Sequence, residues 1–113
     1  MTISLDDFKK LEIKIGEILS AEKVEGTDKL LKLSVKMGEE SPRQIISGIA
    51  AFFPDPKALV GKKCAFAANL EPRTIRGLES QGMILAVNGK NNDTDFFSLL
   101  ETSTDVTPGS MVK

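Results

Sequence analysis

Apolar and polar residues alternate with period two over several short stretches of this chain, which predicts a mainly β protein. Leu11, Ile13 and Ile15 alternate with Glu12 and Lys14 as a half-buried first strand. Gly16 inside it suits a bulge or a sharp barrel bend before Ile18 and Leu19 resume. After a polar turn from Glu25 to Asp28, Leu31, Leu33, Val35 and Met37 alternate with Lys32, Ser34 and Lys36, giving a second strand with a basic outward face. A turn at Gly38 to Pro42 leads to a third strand, Gln44 to Ser47, closed by Gly48. Lys63 to Ala68 predicts a fourth strand of small residues and Met83 to Val87 a fifth. Asn88 to Asp95 is a polar turn, and Phe96 to Leu100 is a further apolar strand before a tail ending in Pro108, Gly109 and Met111.

Two helix signals complete the pattern. Ser4 with Asp7 three residues on forms a capping box for a short helix holding Leu5 and Phe8, placed to cover one end of a barrel. Asp55 and Pro56 read as N-cap and first residue of a second short helix, running towards Val60 and ended by Gly61. Five strands, a short helix between the third and fourth, and glycines at the bends match the five-stranded barrel called the OB-fold. The 113 residues suffice for one core and not two, so residues 1–113 are expected to form one domain, without repeats or linkers.

Composition excludes several functions. With 41% apolar and 27% charged residues the chain has no apolar run near the ~20 residues that span a bilayer, so no membrane partner is expected. Its N-terminus, MTISLDDFKK, has acids where a signal peptide has basic and then apolar residues, which predicts a cytoplasmic protein. There is no His, and the single Cys64, within KKCAFAAN, is expected to be a buried structural thiol. No nucleophile elbow, paired carboxylates or phosphate-cradling Gly loop occurs, so no catalytic residue is assigned and no enzyme is expected. No Cys or His cluster is present to hold a metal, and no cofactor is expected.

Net charge is −1, yet its distribution favours an anionic partner. Residues 29–90 carry ten basic residues against five acids, a balance of +5, while residues 1–28 and 91–113 carry −3 each. Such a one-signed region steers a polyanion even when the total is near zero. Within it, NLEPRTIRGLESQGMILA at 69–86 sets Asn69, Arg73, Arg76 and Ser80 on one loop between apolar strands, including two of the chain's three arginines. Arginine forks suit bidentate contacts to phosphate. In an OB-fold, oligonucleotides lie across strands 2 and 3 between two flanking loops. That geometry converges Lys29, Lys32, Lys36, Arg43, Arg73 and Arg76 on one face. The competing reading is a set of solvated lysines on an outer barrel wall.

Three blocks, VEGTDKLLKL at 24–33, PRQIISGIA at 42–50 and the 69–86 segment, resemble the tRNA-binding domain at the C-terminus of bacterial methionyl-tRNA synthetases. The same domain occurs as a free-standing dimeric tRNA-binding protein and in eukaryotic synthetase-associated factors. The resemblance runs from Asp7 to the PGSMV ending. It implies tRNA as partner, homodimerisation, and Lys29, Lys32, Asn69, Arg73, Arg76, Ser80 and Met83 as tRNA contacts. Ser80 has two readings, an RNA contact or a tie within its own loop, and Met83 likewise, a surface for base or ribose or core packing. Gly48, Gly77 and Gly82 read as conformational. With no Trp or Tyr, and six phenylalanines in apolar runs or at a helix start, recognition should follow tRNA shape and backbone rather than base sequence.

The expected role is auxiliary: a non-catalytic, structure-selective tRNA binder that helps methionyl-tRNA synthetase, or another tRNA enzyme, in trans. A methionyl-tRNA synthetase catalytic chain is a candidate partner. Phe96, Phe97, Leu99, Leu100, Met111 and Val112 exceed what a lone barrel needs. They predict a C-terminal dimerisation extension, joined by the N-terminal helix. The alternative is a dimeric chaperone-like protein-interaction module of the same fold, which would need an apolar groove. A third reading is a dimerisation appendage without RNA affinity.

Overall fold

Strand β1 (Ile13–Lys23) is the spine of the computed structural model, which describes all residues, 1–113. Its C-terminal part pairs antiparallel with β2 (Leu31–Lys36), and its N-terminal part with β4 (Lys63–Ala67). β2 pairs in turn with β3 (Arg43–Ser47), and β4 meets β7 (Met83–Ile84), giving the sheet order β3-β2-β1-β4-β7. Two short hairpins stand apart from this sheet: β5 (Arg73–Ile75) with β6 (Leu78–Ser80), and β8 (Ala86–Asn91) with β9 (Thr94–Leu99). β3 approaches β7 through the end of β6, so the five strands form a nearly closed antiparallel barrel consistent with an OB-like fold.

The alternation in β2 does what its pattern predicts: Leu31, Leu33 and Val35 are fully buried while Lys36 is exposed. They meet Ile18, Ile45, Leu59, Phe66, Ile84 and Leu99 in one core. Gly16 is required by packing here, since a methyl on it would come within 2.5 Å of Val35 Cγ1 and 3.0 Å of the Phe66 ring. The bulge expected at Gly16 falls later, between Ile18 and Ser20, where the register with β2 shifts. Asp55 accepts a hydrogen bond from the Lys57 amide and starts a 3-10 turn, Pro56–Leu59, whose Leu59 plugs the barrel.

Three expectations change. Helix α1 (Leu5–Lys9) forms with Ser4 as its cap, but buries nothing: Leu5 is 65% and Phe8 38% exposed, so it does not cover the barrel. The fifth strand ends at Ile84, after which the chain leaves the barrel as β8. The supposed polar turn at 88–95 is mostly strand, and the reversal takes two residues, Asn92 (φ 51°) and Asp93 (φ 65°). Asn and Asp tolerate this left-handed conformation. β8 is solvated along nearly its whole length, so it carries no apolar alternation that would reveal it.

The C-terminal tail is laced onto the barrel by main-chain hydrogen bonds. Ala65 N donates to Leu100 O (3.0 Å) and Thr102 N to Lys63 O (3.1 Å). Farther on, Ile15 N donates to Ser110 O (2.9 Å), and Gly109 N to Ile15 O (2.7 Å). Part of its apolar content therefore serves this chain's own fold. Leu99 is buried, and the Phe97 ring stacks on Phe52 at 4.0 Å and meets Phe53 edge-on at 5.9 Å. Phe96, Leu100, Met111 and Val112 stay exposed.

Candidate nucleic-acid interface

The 69–86 segment is not a loose loop. Arg73, Thr74 and Ile75 pair with Ser80, Glu79 and Leu78, and the reversal is made by Arg76 (φ 54°) and Gly77 (φ 79°). Glycine adopts a positive φ freely, whereas arginine does so at a cost of ~1 kcal/mol. The tip therefore holds a cation in a backbone conformation that Asn or Gly would adopt more easily.

A polar latch fixes this hairpin to the barrel. The buried Ser80 hydroxyl accepts from Ile46 N (3.0 Å) and donates to Gly82 O (3.0 Å). Gln81 N donates to Gln44 O (2.8 Å), the Gln81 side-chain oxygen accepts from Gln44 N (2.9 Å), and the Gln44 amide donates to Glu79 O (2.8 Å). These bonds close the seam where β3 lacks a full ladder partner. Arg43 spans the same seam: it donates to Ala68 O and to Gln81 O (3.1 Å), and Glu39 grips its other nitrogens at 2.7 and 2.8 Å. This pairing holds Arg43 charged and keeps the Glu39 carboxyl below the ordinary carboxylate range. At the start of the segment, the Asn69 side chain accepts from Glu12 N (2.8 Å) and donates to Lys10 O (2.6 Å).

Beside the hairpin lies a cleft of about 310 Å³, bounded by Leu30, Ile46, Leu70, Ile75 and Met83, with Arg73 and Glu71 on its wall. Of the nine residues singled out from sequence, Arg73, Ser80 and Met83 line this cleft, and Lys29 precedes Leu30, which also lines it. Arg76 sits at the hairpin tip. Lys32 and Arg43 lie elsewhere, in a shallow basin on the barrel wall, with Lys36 farther along β2. That wall is not uniformly basic, as the β2 pattern had implied. Lys32 is paired with Glu22 at 2.8 Å, and Glu17 stands opposite Lys36 in the β1–β2 register. None of the six ion pairs involves Lys29, Lys36, Arg73 or Arg76.

The side chains of Arg43, Asn69 and Ser80 are thus engaged in holding the fold, while Lys29, Arg73, Arg76 and Met83 are exposed. Sequence reasoning missed Gln44 and Gln81, whose role depends on a seam that no local pattern announces. It also missed the apolar cleft floor, because Leu30, Leu70 and Ile75 come from three separate segments. Cys64 is fully buried, which pushes its thiol up to about 11, so it stays neutral at pH 7. No group of three or more His, Cys, Asp or Glu side chains comes together, and no helix is long and apolar enough to cross a membrane.

Residues 13–111 match the family described as "Putative tRNA binding domain". The chain belongs to this family. The resemblance read from the three sequence blocks therefore holds over nearly the whole domain. Relatives of this tRNA-binding domain include methionine–tRNA ligase of Deinococcus radiodurans, 46% identical over 111 residues, which are 98% of this chain and 16% of the ligase. That of Enterococcus faecalis is 55% identical over 84 residues, 74% of this chain and 13% of the ligase. The chain thus spans about a sixth or less of the length of these ligases. Among solved structures, a methionyl-tRNA-synthetase-related protein of Pyrococcus horikoshii superposes with a TM-score of 0.85 at 36% identity, covering 100% of this chain and 99% of that one. The chaperone CsaA of Bacillus anthracis gives the same TM-score of 0.85 at 21% identity with 100% of both chains covered, a likeness of fold alone.

Proposed function

We propose that this domain binds tRNA through the rim of the cleft, without catalysing a reaction itself, and serves methionyl-tRNA synthetase or another tRNA enzyme by holding tRNA near a catalytic chain. The observation that carries the proposal is the pair of cations without a salt-bridge partner, Arg73 and Arg76, on one latched hairpin in a chain of the tRNA-binding family, with Lys29 next in sequence to the cleft-lining Leu30. Their contacts go to phosphate, which positions RNA without reading sequence. Lys36 and Lys32 extend the positive track along β2, Lys32 at the cost of its pair with Glu22. Arg43, Asn69 and Ser80 act indirectly, by fixing where the hairpin stands. The function is that of a cytoplasmic protein, since tRNA charging occurs there.

The apolar surface of α1, together with Leu11, Phe96, Leu100, Met111 and Val112, supports a two-fold dimer that presents two hairpins to one tRNA. Val112 N donates to Ile13 O, so the tail apolar residues lie beside the entry to β1 just after Leu11. A second reading, a chaperone-like module that takes peptide, is favoured by the apolar floor of the cleft.

One experiment tests the main reading: binding to bulk tRNA across a salt series, with Arg73→Ala/Arg76→Ala alongside. The expected result is a slope of several units, falling by about 1.4 to 1.8 in the double variant at ~0.7–0.9 per phosphate contact. Light scattering on the same samples should give a two-chain particle, and a monomer at micromolar concentration removes the dimer. No tRNA binding at low salt turns the reading to the protein-interaction module.

A further inference from the structure

Cations at the rim account for affinity but leave the cleft between them without a role. Its floor is apolar, formed by Leu30, Ile46, Ile75 and Met83, and Glu71 adds a carboxylate to the wall. A phosphate is unsuited to that floor, since an ionised group loses its hydration there and faces Glu71. A neutral, flat nucleobase suits it. At about 310 Å³ the cleft is at the small end of ligand pockets, large enough for a single ring system rather than a helix.

Gly48 supplies an independent observation. It borders the cleft and is exposed, its φ is not in the left-handed region, and a methyl added to it would meet nothing within 4 Å. Neither backbone conformation nor packing requires glycine there. The space beside its Cα, at the edge of the cleft, is open. Arg73 stands on the same cleft, and Lys29, whose carbonyl accepts from Ala50 N at 3.2 Å, is next in sequence to Leu30, which lines it. Positive charge thus stands at the edge of an apolar floor, matching a base with its own phosphate beside it.

We propose that the cleft receives one unpaired nucleobase of the bound RNA, held against Leu30 and Met83, with the neighbouring phosphates on Arg73 and Lys29. This rests on the RNA-binding reading above. No aromatic side chain lines the cleft, so the base is held by aliphatic contact and by the Met83 thioether, which makes favourable contacts with aromatic rings. Selection is then for the presence of an unstacked base, which gives shape selectivity without a sequence code.

The test is a titration, at low salt, of two RNA hairpins of equal length and charge, one with a single bulged 2-aminopurine and one fully paired. The bulged RNA should bind roughly tenfold more tightly, as expected for removing about 60 Å² of apolar surface from water, with a change in 2-aminopurine fluorescence. Gly48→Val fills the space above the floor and should abolish both the preference and the fluorescence change, while the salt slope and melting temperature stay as in the parent. Gly48→Ala should give an intermediate preference. Met83→Ala, at a side chain that is 47% exposed, checks the floor without altering the main chain and should also reduce the preference. Equal affinity for both RNAs, or a preference that survives Gly48→Val and Met83→Ala, overturns the base pocket while leaving the rim contacts standing. Failure to bind these RNAs and bulk tRNA alike overturns the RNA reading itself. An apolar peptide whose binding is lost in Gly48→Val, with RNA preference intact, assigns the cleft to a polypeptide side chain and overturns the proposal.

Discussion

The domain carries two hairpins of the same construction, and they are held in opposite ways. Both reverse over two residues with positive φ, Arg76-Gly77 in β5–β6 and Asn92-Asp93 in β8–β9. The first is joined to the barrel by polar groups: the Ser80 hydroxyl, the paired amides of Gln44 and Gln81, and the Arg43 bridge. The second is held at its base by apolar contact, through Phe97 against Phe52 and Phe53 and through buried Leu99. Hydrogen bonds are directional and burial is not, so a polar latch fixes the orientation of what it holds, whereas an apolar base mainly contributes stability. The tips follow the same division. Asn92 and Asp93 suit their turn, while Arg76 does not, and a residue kept where its backbone is strained points to a role for its side chain.

This contrast can be broken most strongly at Phe97. Phe97→Ala removes the ring that ties β8–β9 to the barrel, and should lower stability by about 3 kcal/mol, the low end for losing a phenylalanine, since Phe97 is only half-buried. Chemical denaturation reads the loss, and tRNA affinity of the remaining folded protein should be unchanged within about twofold, as no phosphate contact is removed.

Arg43→Ala comes next and should affect both properties. It leaves Ala68 O and Gln81 O without their donor and Glu39 without its partner, at a cost of about 2 kcal/mol, and it frees the β5–β6 hairpin to move, so tRNA binding weakens as well. The same latch gives an acid dependence. Glu39 has its pKa lowered in the folded state, so its contribution is present above the unfolded carboxylate value of ~4.3 and is lost as pH falls through the folded value. The stability difference between the parent and Arg43→Ala, followed by denaturation from pH 7 downwards, should therefore shrink below pH ~4. A difference that grows on acidification contradicts the assignment.

The smallest effect is the most discriminating between a structural and a functional tip. Arg76→Asn relieves the left-handed strain and should stabilise the fold by ~0.5–1 kcal/mol. The same change should reduce the salt slope of tRNA binding by about 0.7–0.9, one phosphate contact. A variant that is stabilised with an unchanged slope removes Arg76 from the interface.

Much of the barrel was legible in the sequence because β2 and β4 bury one face or both and so write their period into the chain. The capped turn at Asp55-Pro56 was legible too, since its chemistry is local. Of the β8–β9 hairpin the apolar strand at Phe96–Leu100 was legible, but β8 and the tight turn were not, because β8 is solvated along nearly its whole length and the turn lacks glycine. At the site, residue types on the 69–86 segment pointed to an anionic partner, but not to which side chains are free. Arg43 and Arg73 have the same chemistry, and only the placement of Glu39, Ala68 and Gln81 engages one and leaves the other open. The apolar cleft was hidden for a related reason: its floor is assembled from the ends of several segments, and each of these residues, taken alone, reads as core.

We expect RNA to meet the latched hairpin and not its apolar counterpart. The direct measurement is a titration of isotope-labelled protein with tRNA at low salt, followed by backbone amide shifts. Amides of Arg73 to Ser80, with Ser47, Gly48 and Met83, should shift or broaden first, while those of Lys90 to Phe96 hold still. Shifts confined to β8–β9, or spread evenly over both hairpins, would contradict it.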